Sequence, residues 1–329
     1  MIALFVLASC GKTADEYSSS SEASSIASSD ETSSKETEES SSETETPAPP
    51  KVIDKEEYIL KYQNFYKQTG TYTGRPALPE IELAPTDPEN EAGYSNQKFG
   101  YSFGVAVGEK PHQTSLNHQK NFKDNGFNAI TVDTDTTEKR LYLTFDCGYE
   151  LGYTWSLLDT LKEKNVKAVF FCTLYQIQKN PELTARMIDD GHIVANHSVN
   201  HKSMPTLSRQ EMASEIEGVE NYLRKYFGYS TKYFRFPTGE YSENSLECVT
   251  SLGIRMAFWS IAYNDYDTAN QPGKALAFQT VTGRLHPGAV ILLHSTSESN
   301  MQALGDIIDY AHQNGYVFRS LDDYEGWVN

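Results

Sequence analysis

Leu141-Tyr142-Leu143-Thr144-Phe145 is a short apolar run that leads without a break into Asp146 and Cys147. Its length and its aromatic and β-branched residues are typical of a buried strand. Similar runs recur along the rest of the chain, each separated from the next by a segment with the apolar periodicity of a helix. The sequence therefore predicts seven strands, at residues 141–145, 168–172, 192–195, 233–236, 256–259, 289–293 and 316–320.

Regular alternation of strands and helices predicts an α/β fold with parallel strands, and about seven strand–helix units favour a (β/α) barrel. Glycines such as Gly228 and Gly253 stand where a helix must end and turn into the next strand. In such barrels the chemistry lies at the C-terminal ends of the strands. The polar residues that follow each predicted strand are therefore the first candidates for a functional site.

Four segments are expected along the 329 residues. The regular alternation occupies 139–329 and is interpreted as a catalytic domain. Residues 51–138 form an N-terminal extension with one amphipathic helix, at 54–68, and a loop-like stretch at 75–104. Residues 11–50 hold 18 Ser or Thr and ten acidic residues against two lysines, a composition too polar to pack a core and typical of a disordered tether. Residues 1–10 are a separate apolar start.

The charge of the chain excludes one class of partner. The tether carries −8 of the formal −17, and residues 51–329 hold 35 acidic against 26 basic side chains. Proteins that bind nucleic acid usually show basic patches, so no nucleic-acid partner is expected. No apolar run reaches the roughly 18 residues of a membrane-spanning helix. Nothing in the sequence indicates a protein partner.

The first ten residues, MIALFVLASC, end in a small-residue pattern typical of a secretory signal. A cysteine directly after that pattern, Cys10, resembles the bacterial lipobox. We therefore expect a lipoprotein anchored to the membrane through Cys10, outside the cytoplasm and facing the cell wall of a bacterium, since two acyl chains give a stable anchor. The alternative is a chance apolar start to a cytosolic chain, which the absence of basic residues before the run favours.

Five predicted strand ends carry residues suited to metal-assisted hydrolysis. His197 and His201 are four apart, so on a helical turn their imidazoles would point the same way and share a metal. Asp146 is placed to deprotonate a metal-bound water, whose pKa the cation lowers. Arg235 beside it would keep that carboxylate ionised. His294 is placed to protonate a leaving group.

The same strand ends offer groups for the substrate. Backbone N–H groups near Thr238 and Gly239 are candidates to receive an oxyanion. Tyr241, Trp259 and Asp265 are assigned to the substrate as well. The rings of Tyr241, Trp259 and Tyr266 suit sugar faces or, equally, an aromatic core.

The motifs T-F-D-x-G, H-S-x-x-H, R-x-P-x-G and L-x-H, in this order over residues 139–323, resemble the polysaccharide deacetylases of the NodB-homology type, carbohydrate esterase family 4. The strings 143–150, 258–262 and 286–294 are most similar to the N-acetylmuramic acid deacetylases of δ-lactam biosynthesis. The resemblance implies a distorted (β/α) barrel and a divalent metal. It implies Asp146 as general base, His197 and His201 as metal ligands, Arg235 as the residue that steadies the base and His294 as general acid.

Three positions depart from the family pattern. Cys147 stands where the wider family has a second Asp ligand, and it is a thiolate ligand favouring zinc, a small buried residue beside a two-His site completed by water, or a disulfide partner of Cys172. Ala262 stands where an Asp orients the acid histidine, and the usual D-W becomes Asp265-Tyr266. Thr238 replaces a common aromatic residue.

The function that follows is a metal-dependent N-deacetylase, most simply with zinc, acting on peptidoglycan or another N-acetylated glycan. N-acetylmuramic acid is expected ahead of N-acetylglucosamine. Two alternatives stay open from the sequence. One is an O-deacetylase on acetylated xylan or wall polymer, because a carbonyl site barely distinguishes ester from amide. The other is a non-catalytic wall-binding lipoprotein that has lost the metal.

Overall fold

The computed structural model describes residues 54–328, so the predicted signal with Cys10 and the predicted tether lie outside the described residues. The helices of this part are α1 Lys55–Thr69, α2 Gln113–Asp124, α3 Thr154–Glu163, α4 Leu174–Lys179, α5 Pro181–Asp189, α6 Arg209–Phe227, α7 Glu243–Ser251, α8 Lys274–Thr282 and α9 Glu298–Gln313. The strands are β1 Phe99–Gly100, β2 Ala129–Ile130, β3 Arg140–Cys147, β4 Val169–Cys172, β5 Ile193–Asn196, β6 Tyr233–Phe234, β7 Glu240–Tyr241, β8 Arg255–Ala257, β9 Ala289–His294 and β10 Val317–Phe318. Among these helices none has the length and apolar character needed to cross a bilayer.

Seven parallel strands form a nearly closed barrel in the order β9, β3, β4, β5, β6, β8 and β2. Two isolated bridges, Val132 to Ala289 and Ile261 to Ile291, connect the last members of this series to β9. The predicted distorted (β/α) barrel is therefore confirmed. The seven strands predicted from the sequence all exist, but β10 pairs only with the first two residues of β3, and β2 takes its place in the barrel.

The alternation along β3 sets which side chains reach the barrel interior. Leu143, Phe145 and Cys147 belong to the core between the sheet and the helices. Tyr142 belongs to the second core, inside the barrel. Because successive side chains of a strand point to opposite faces, Thr144 and Asp146 face the interior as well. Asp146 is the last inward-facing residue of β3, at the C-terminal mouth of the barrel.

Residues 51–138 are more than an extension with one helix. The predicted helix is α1, but a second helix, α2, follows, and β2 belongs to the barrel, so the barrel begins before the predicted boundary at residue 139. The earlier part runs along α6: the Leu78 amide donates to the Arg224 carbonyl at 2.9 Å, and the Ile81 amide donates to Asn221 Oδ1 at 2.9 Å. We call residues 76–83 the strap.

Gly228, which ends α6, shows why a glycine is needed beside the strap. Its φ of 56° lies in the left-handed region, and a Cβ built there would lie 2.3 Å from the carbonyl oxygen of Pro76. The same residue therefore ends the helix and lets the start of the strap approach it closely.

Candidate active site

Asp146 is paired with a fully buried arginine. Arg235 Nη1 donates to Asp146 Oδ1 at 2.8 Å, and the other guanidinium nitrogens donate to the Ala257 carbonyl and to the Thr144 hydroxyl at 2.7 and 2.9 Å. Burial disfavours the charged carboxylate, but the charge and hydrogen bond of Arg235, together with the nearby His197 and His294, outweigh it and hold the pKa of Asp146 below its ordinary value. The carboxylate is therefore ionised at neutral pH and has a fixed direction.

His197 and His201 bring two ring nitrogens together in front of that carboxylate. Their Nε2 atoms lie 3.2 Å apart, and His197 Nε2 lies 3.6 Å from Asp146 Oδ2. His197 Nδ1 lies 2.9 Å from the Arg235 carbonyl oxygen, which can only accept, so Nδ1 carries the proton and Nε2 a lone pair. Burial lowers the pKa of His197 to about 4, so this ring is neutral at neutral pH.

The two histidines do not lie on a helical turn, as their spacing had suggested. They lie in a loop after β5 in which Ser198 and His201 have φ of 70° and 54°. The Asn196 side chain accepts from the Ser198 amide, and the Ser198 hydroxyl accepts from the His201 amide, both at 2.9 Å. Two left-handed residues and these local bonds, rather than helix periodicity, turn His201 back towards His197.

Among the described residues, no group of three His, Cys, Asp or Glu side chains has the arrangement of a complete metal site. Cys147 in particular is not a ligand. It points to the helix-facing core, and burial raises the pKa of its thiol well above the ordinary value. The disulfide with Cys172 is not formed either, since both are free thiols on paired positions of β3 and β4. The structure leaves the remaining alternative, a pair of histidines beside a small buried cysteine.

His294 lies on the strand next to Asp146, at the position paired with it. Its Nδ1 donates to Asp265 Oδ1 at 2.7 Å, so Nε2 is the atom available to the cleft. Burial disfavours the charged imidazolium, but the hydrogen bond and charge of Asp265 outweigh it and raise the pKa of His294 above its ordinary value. His294 is thus suited to donate a proton at neutral pH.

Asp265 is therefore a positioning residue, and its assignment to the substrate is wrong. It is 1% exposed, and its Oδ2 accepts from the His294 amide at 2.7 Å and from Asn300 Nδ2 at 2.6 Å. The replacement of an Asp by Ala262 does not leave the acid histidine without a carboxylate, because the loop brings in Asp265 three residues later.

The cleft in front of these residues has a volume of about 910 Å³. Thr238, Gly239 and Trp259 line it as expected. The Gly239 amide already donates to the Phe236 carbonyl at 3.1 Å, so only Thr238, at φ 57°, keeps an amide that makes no hydrogen bond within residues 54–328. Of the two oxyanion candidates, Thr238 is the one that fits.

Tyr241 does not contact the substrate space. Its ring packs against Phe122 and Phe258 in the barrel core, and its hydroxyl lies 3.4 Å from His118 Nδ1. Tyr266, whose ring was also expected to suit a sugar face, does line the cleft. Four aromatic residues that were not predicted from the sequence line it as well: Phe103, Tyr149, Tyr175 and Tyr263. Tyr149 and Tyr175 follow β3 and β4 within three residues, so their position after strands was a signal that the sequence contained.

Comparison with known proteins places this geometry in a family. The profile of the family described as polysaccharide deacetylase matches residues 133–257. The chain is 38% identical over 216 residues to PdaA, a peptidoglycan-N-acetylmuramic acid deacetylase of Bacillus subtilis, which covers 64% of this chain and 82% of the relative. It is 34% identical over 171 residues to a peptidoglycan-N-acetylglucosamine deacetylase of Bacillus cereus, covering 51% of this chain and 60% of the relative.

The fold agrees with the sequence match. The solved structure of Bacillus subtilis PdaA, described as a family 4 carbohydrate esterase, superposes with a TM-score of 0.66 at 36% identity and covers 70% of this chain and 97% of that one. With 38% identity over four-fifths of that relative and the same barrel, the chain belongs to the polysaccharide deacetylases of the NodB-like type, hydrolases that act on carbon–nitrogen bonds other than peptide bonds.

Proposed function

We propose that this chain removes the acetyl group from N-acetylated amino sugars of peptidoglycan, with N-acetylmuramic acid preferred to N-acetylglucosamine. One observation carries the proposal: an ionised carboxylate, Asp146, and a histidine with a raised pKa, His294, face one cleft from paired positions of adjoining strands. Their environments move their pKa values apart, as the base and the acid of one reaction require.

The names of the relatives support the proposed substrate. The Bacillus subtilis relative, named for N-acetylmuramic acid, is 38% identical to this chain, against 34% for the Bacillus cereus relative named for N-acetylglucosamine. Both are named for peptidoglycan, which supports that polymer for this chain.

The donor atoms of this site fit a divalent metal. The Nε2 atoms of His197 and His201 lie 3.2 Å apart, and the tautomer of His197 leaves a lone pair on its Nε2, which favours a cation between the two. An oxygen of the ionised Asp146 carboxylate lies 3.6 Å from His197 Nε2. His197 and His201 would hold the ion, which would polarise the acetyl carbonyl and lower the pKa of the attacking water. Because Cys147 faces the core, only the two imidazoles favour zinc. Imidazoles suit zinc among other first-row cations.

In the proposed reaction, separate residues accept the proton, stabilise the oxyanion and donate the proton. Asp146 accepts a proton from the attacking water as its oxygen bonds to the acetyl carbon. The Thr238 amide donates to the oxygen on which negative charge develops. His294 Nε2 gives its proton to the amide nitrogen while the carbon–nitrogen bond breaks, so that acetate and the free amine leave. Arg235 and Asp265 hold the base and the acid in place.

We also propose that the chain acts outside the cytoplasm, as a lipoprotein anchored through Cys10. The support is the apolar start that ends in a lipobox-like pattern, and the nature of the substrate, which lies beyond the membrane.

The test is a deacetylation assay on the purified chain with peptidoglycan glycan strands and with chitin oligomers, followed by mass spectrometry. We expect loss of acetyl groups from muramic residues, its abolition by a chelator and its recovery with added Zn²⁺. His294→Ala should lower turnover at least a hundredfold and leave strand binding intact, whereas His197→Ala should also lose metal binding.

His312→Ala is the matched control, because this exposed histidine packs on Phe318 at the end of α9 and should leave turnover unchanged. Wild-type turnover in both His197→Ala and His294→Ala would overturn the assignment of the site. Absence of acetyl release with any divalent metal would overturn the proposed activity.

A further inference from the structure

A second cavity, of about 540 Å³, continues the catalytic cleft. Gly148, Tyr149 and Tyr175 line both, so a single extended ligand can run from His294 past the two tyrosines into the second cavity. The two tyrosines are 44% and 55% exposed, so their rings are accessible to a ligand. The far wall consists of Glu150, Lys179 and Asn180.

Lys179 is the positively charged residue of this wall, and its ammonium group is accessible to a ligand. It is exposed in the last turn of α4, with Nζ 5.9 Å from the centre of the Tyr175 ring. No carboxylate of residues 54–328 lies within 4 Å of it. Lys202, the cation that follows His201, is by contrast paired with Glu215 at 3.5 Å.

Glu150, the acidic residue of the same wall, is already engaged. Its carboxylate accepts from the amides of Gly152 and Thr154, at 2.6 and 3.2 Å, and from the Thr154 hydroxyl. These bonds direct it towards the start of α3 and compensate its charge locally. The second cavity thus offers exposed aromatic faces beside an ammonium group that has no carboxylate partner.

We propose that Lys179 binds a carboxylate of the glycan strand, with the sugar that bears it lying against Tyr175 and Tyr149. This inference rests on the proposed function and names a specificity residue for it. Residues 51–329 are acidic overall and repel an anionic strand, so a cation at the open end of the cleft favours the correct placement of one. Two groups of peptidoglycan have this chemistry, the lactyl carboxylate of a peptide-free muramic residue and the carboxylates of a stem peptide.

The experiment measures binding by calorimetry, with the whole chain and three ligands: peptide-free glycan strands, peptide-bearing strands and chitin oligomers, which lack carboxylates. Lys179→Gln should weaken the binding of a carboxylate ligand about two- to fivefold, as for an exposed ion pair, and Lys179→Glu should weaken it further. The difference from wild type should shrink in high salt, and chitin binding should not change.

Lys225→Gln and Lys225→Glu are the matched controls. Lys225 also lies exposed in the last turn of its helix, α6, with Nζ 5.3 Å from a tyrosine ring, that of Tyr226, but it does not line either cavity. Both variants should bind all three ligands like wild type. They separate a contact with the ligand from the general effect of one charge.

The two sources of carboxylate are distinguished by the ligand affected: loss on peptide-free strands identifies the lactyl group, and loss on peptide-bearing strands alone identifies the stem peptide. Wild-type affinity of Lys179→Glu for both strands would overturn the inference, as would an equal loss on chitin, which would indicate a cation that only stabilises the end of α4. The calorimetry is done with a chelator present, which on the proposed mechanism stops turnover, so that strand binding is measured separately from acetate release. A wild-type chain that binds strands through Lys179 but releases no acetate when metal is added would contradict only the proposed activity.

Discussion

Arg235 has no contact with solvent, and every nitrogen of its guanidinium donates to an acceptor inside the barrel. The guanidinium also lies 4.1 Å from the centre of the Phe171 ring. A buried ion pair contributes little to stability as a pair, but removal of one partner leaves an uncompensated charge in a medium of low dielectric. The direction of Asp146 and the stability of the fold therefore depend on the same side chain.

Arg235→Met should lower the free energy of unfolding by about 3–5 kcal/mol, because the Asp146 carboxylate would remain buried without a counter-charge. Denaturant unfolding followed by circular dichroism measures this. The double variant Arg235→Met/Asp146→Asn should recover part of the loss, because the charge that lacks a partner is then gone. Equal losses in the single and the double variant would contradict this explanation.

Asp265 sets the pH range in which His294 can act. Because the carboxylate raises the pKa of His294, the ring stays protonated to a higher pH than a free histidine, and the acid is lost only as the pH rises through that value. Asp265→Asn removes the raising charge and should move the alkaline limb of kcat/KM to lower pH, with a lower kcat at neutral pH. Asp267→Asn, an exposed acid of the same loop, should leave the profile unchanged. An unshifted alkaline limb in Asp265→Asn would show that another group titrates there.

The sequence contained the reason why Cys147 is not a ligand. Asp146 and Cys147 are neighbours on a strand, and neighbours on a strand face opposite sides, so only one of them can reach the barrel mouth. The role of Asp265 was not available in the same way. It depends on the path of the loop after β8, which brings residue 265 rather than residue 262 to His294, and such paths are set by tertiary contacts.

The loop after β5, which carries His197 and His201, is attached to α6. Glu215 on that helix is buried and accepts from the Asn200 amide and from Asn200 Nδ2, each at 2.7 Å. The carboxylate thus ties the middle of the loop to α6, between His197 and His201. The H-x-x-x-H spacing predicted a shared metal site, but its helical explanation was wrong, because residues with left-handed conformations cannot be inferred from spacing alone.

Glu215→Ala should weaken the binding of a divalent cation about tenfold without the loss of any ligand, because the loop that presents His201 is released. Titration calorimetry with Zn²⁺ measures the affinity. Glu217→Ala, on the same helix, is the control, since Glu217 instead accepts from the Leu83 amide of the strap at 2.7 Å. If the two variants bind zinc equally well, the contact between Glu215 and the loop does not set the affinity.

The described residues, 54–328, form one compact unit in which the part before the barrel contributes to the cleft. Phe103 lines the cleft, and the Tyr101 hydroxyl donates to the Trp259 carbonyl at 2.6 Å. Further from the cleft, Tyr58 and Tyr62 of α1 are buried against the core of the barrel's helices. The residues before the barrel therefore act as part of the catalytic unit.

Two truncations test this organisation. A chain that starts at residue 50 should keep the unfolding midpoint and the turnover of the whole chain on soluble strands. A chain that starts at residue 105 should lose about 3–6 kcal/mol of unfolding free energy from Tyr58 and Tyr62 alone, and should have a raised KM because Phe103 is gone. Thermal unfolding and initial rates measure both. Full stability of the shorter chain would show that the extension is not part of the unit.

The barrel itself could be predicted because each of its longer strands is an apolar run bounded by turn residues. The strand that was missed, β2, has only two residues, Ala129 and Ile130, and the helix before it, α2, was not predicted either. Its membership depends on pairing with β8, a contact between residues more than a hundred positions apart. The contribution of Phe103 to the cleft depends on long-range packing of the same kind, so local patterns could not reveal it.

The pairing of Asp146 with His294 has a consequence for how this enzyme can diverge. The proposed proton acceptor and proton donor occupy the same rung of a hydrogen-bonded ladder, so their backbones lie about 4.8 Å apart. The sheet fixes where the two side chains start, and Arg235 and Asp265 fix where they point. Changes in the tyrosines of the rim can therefore alter which polymer enters without moving these two residues. A slip in strand register would separate them, because it would turn every side chain of β3 to the opposite face.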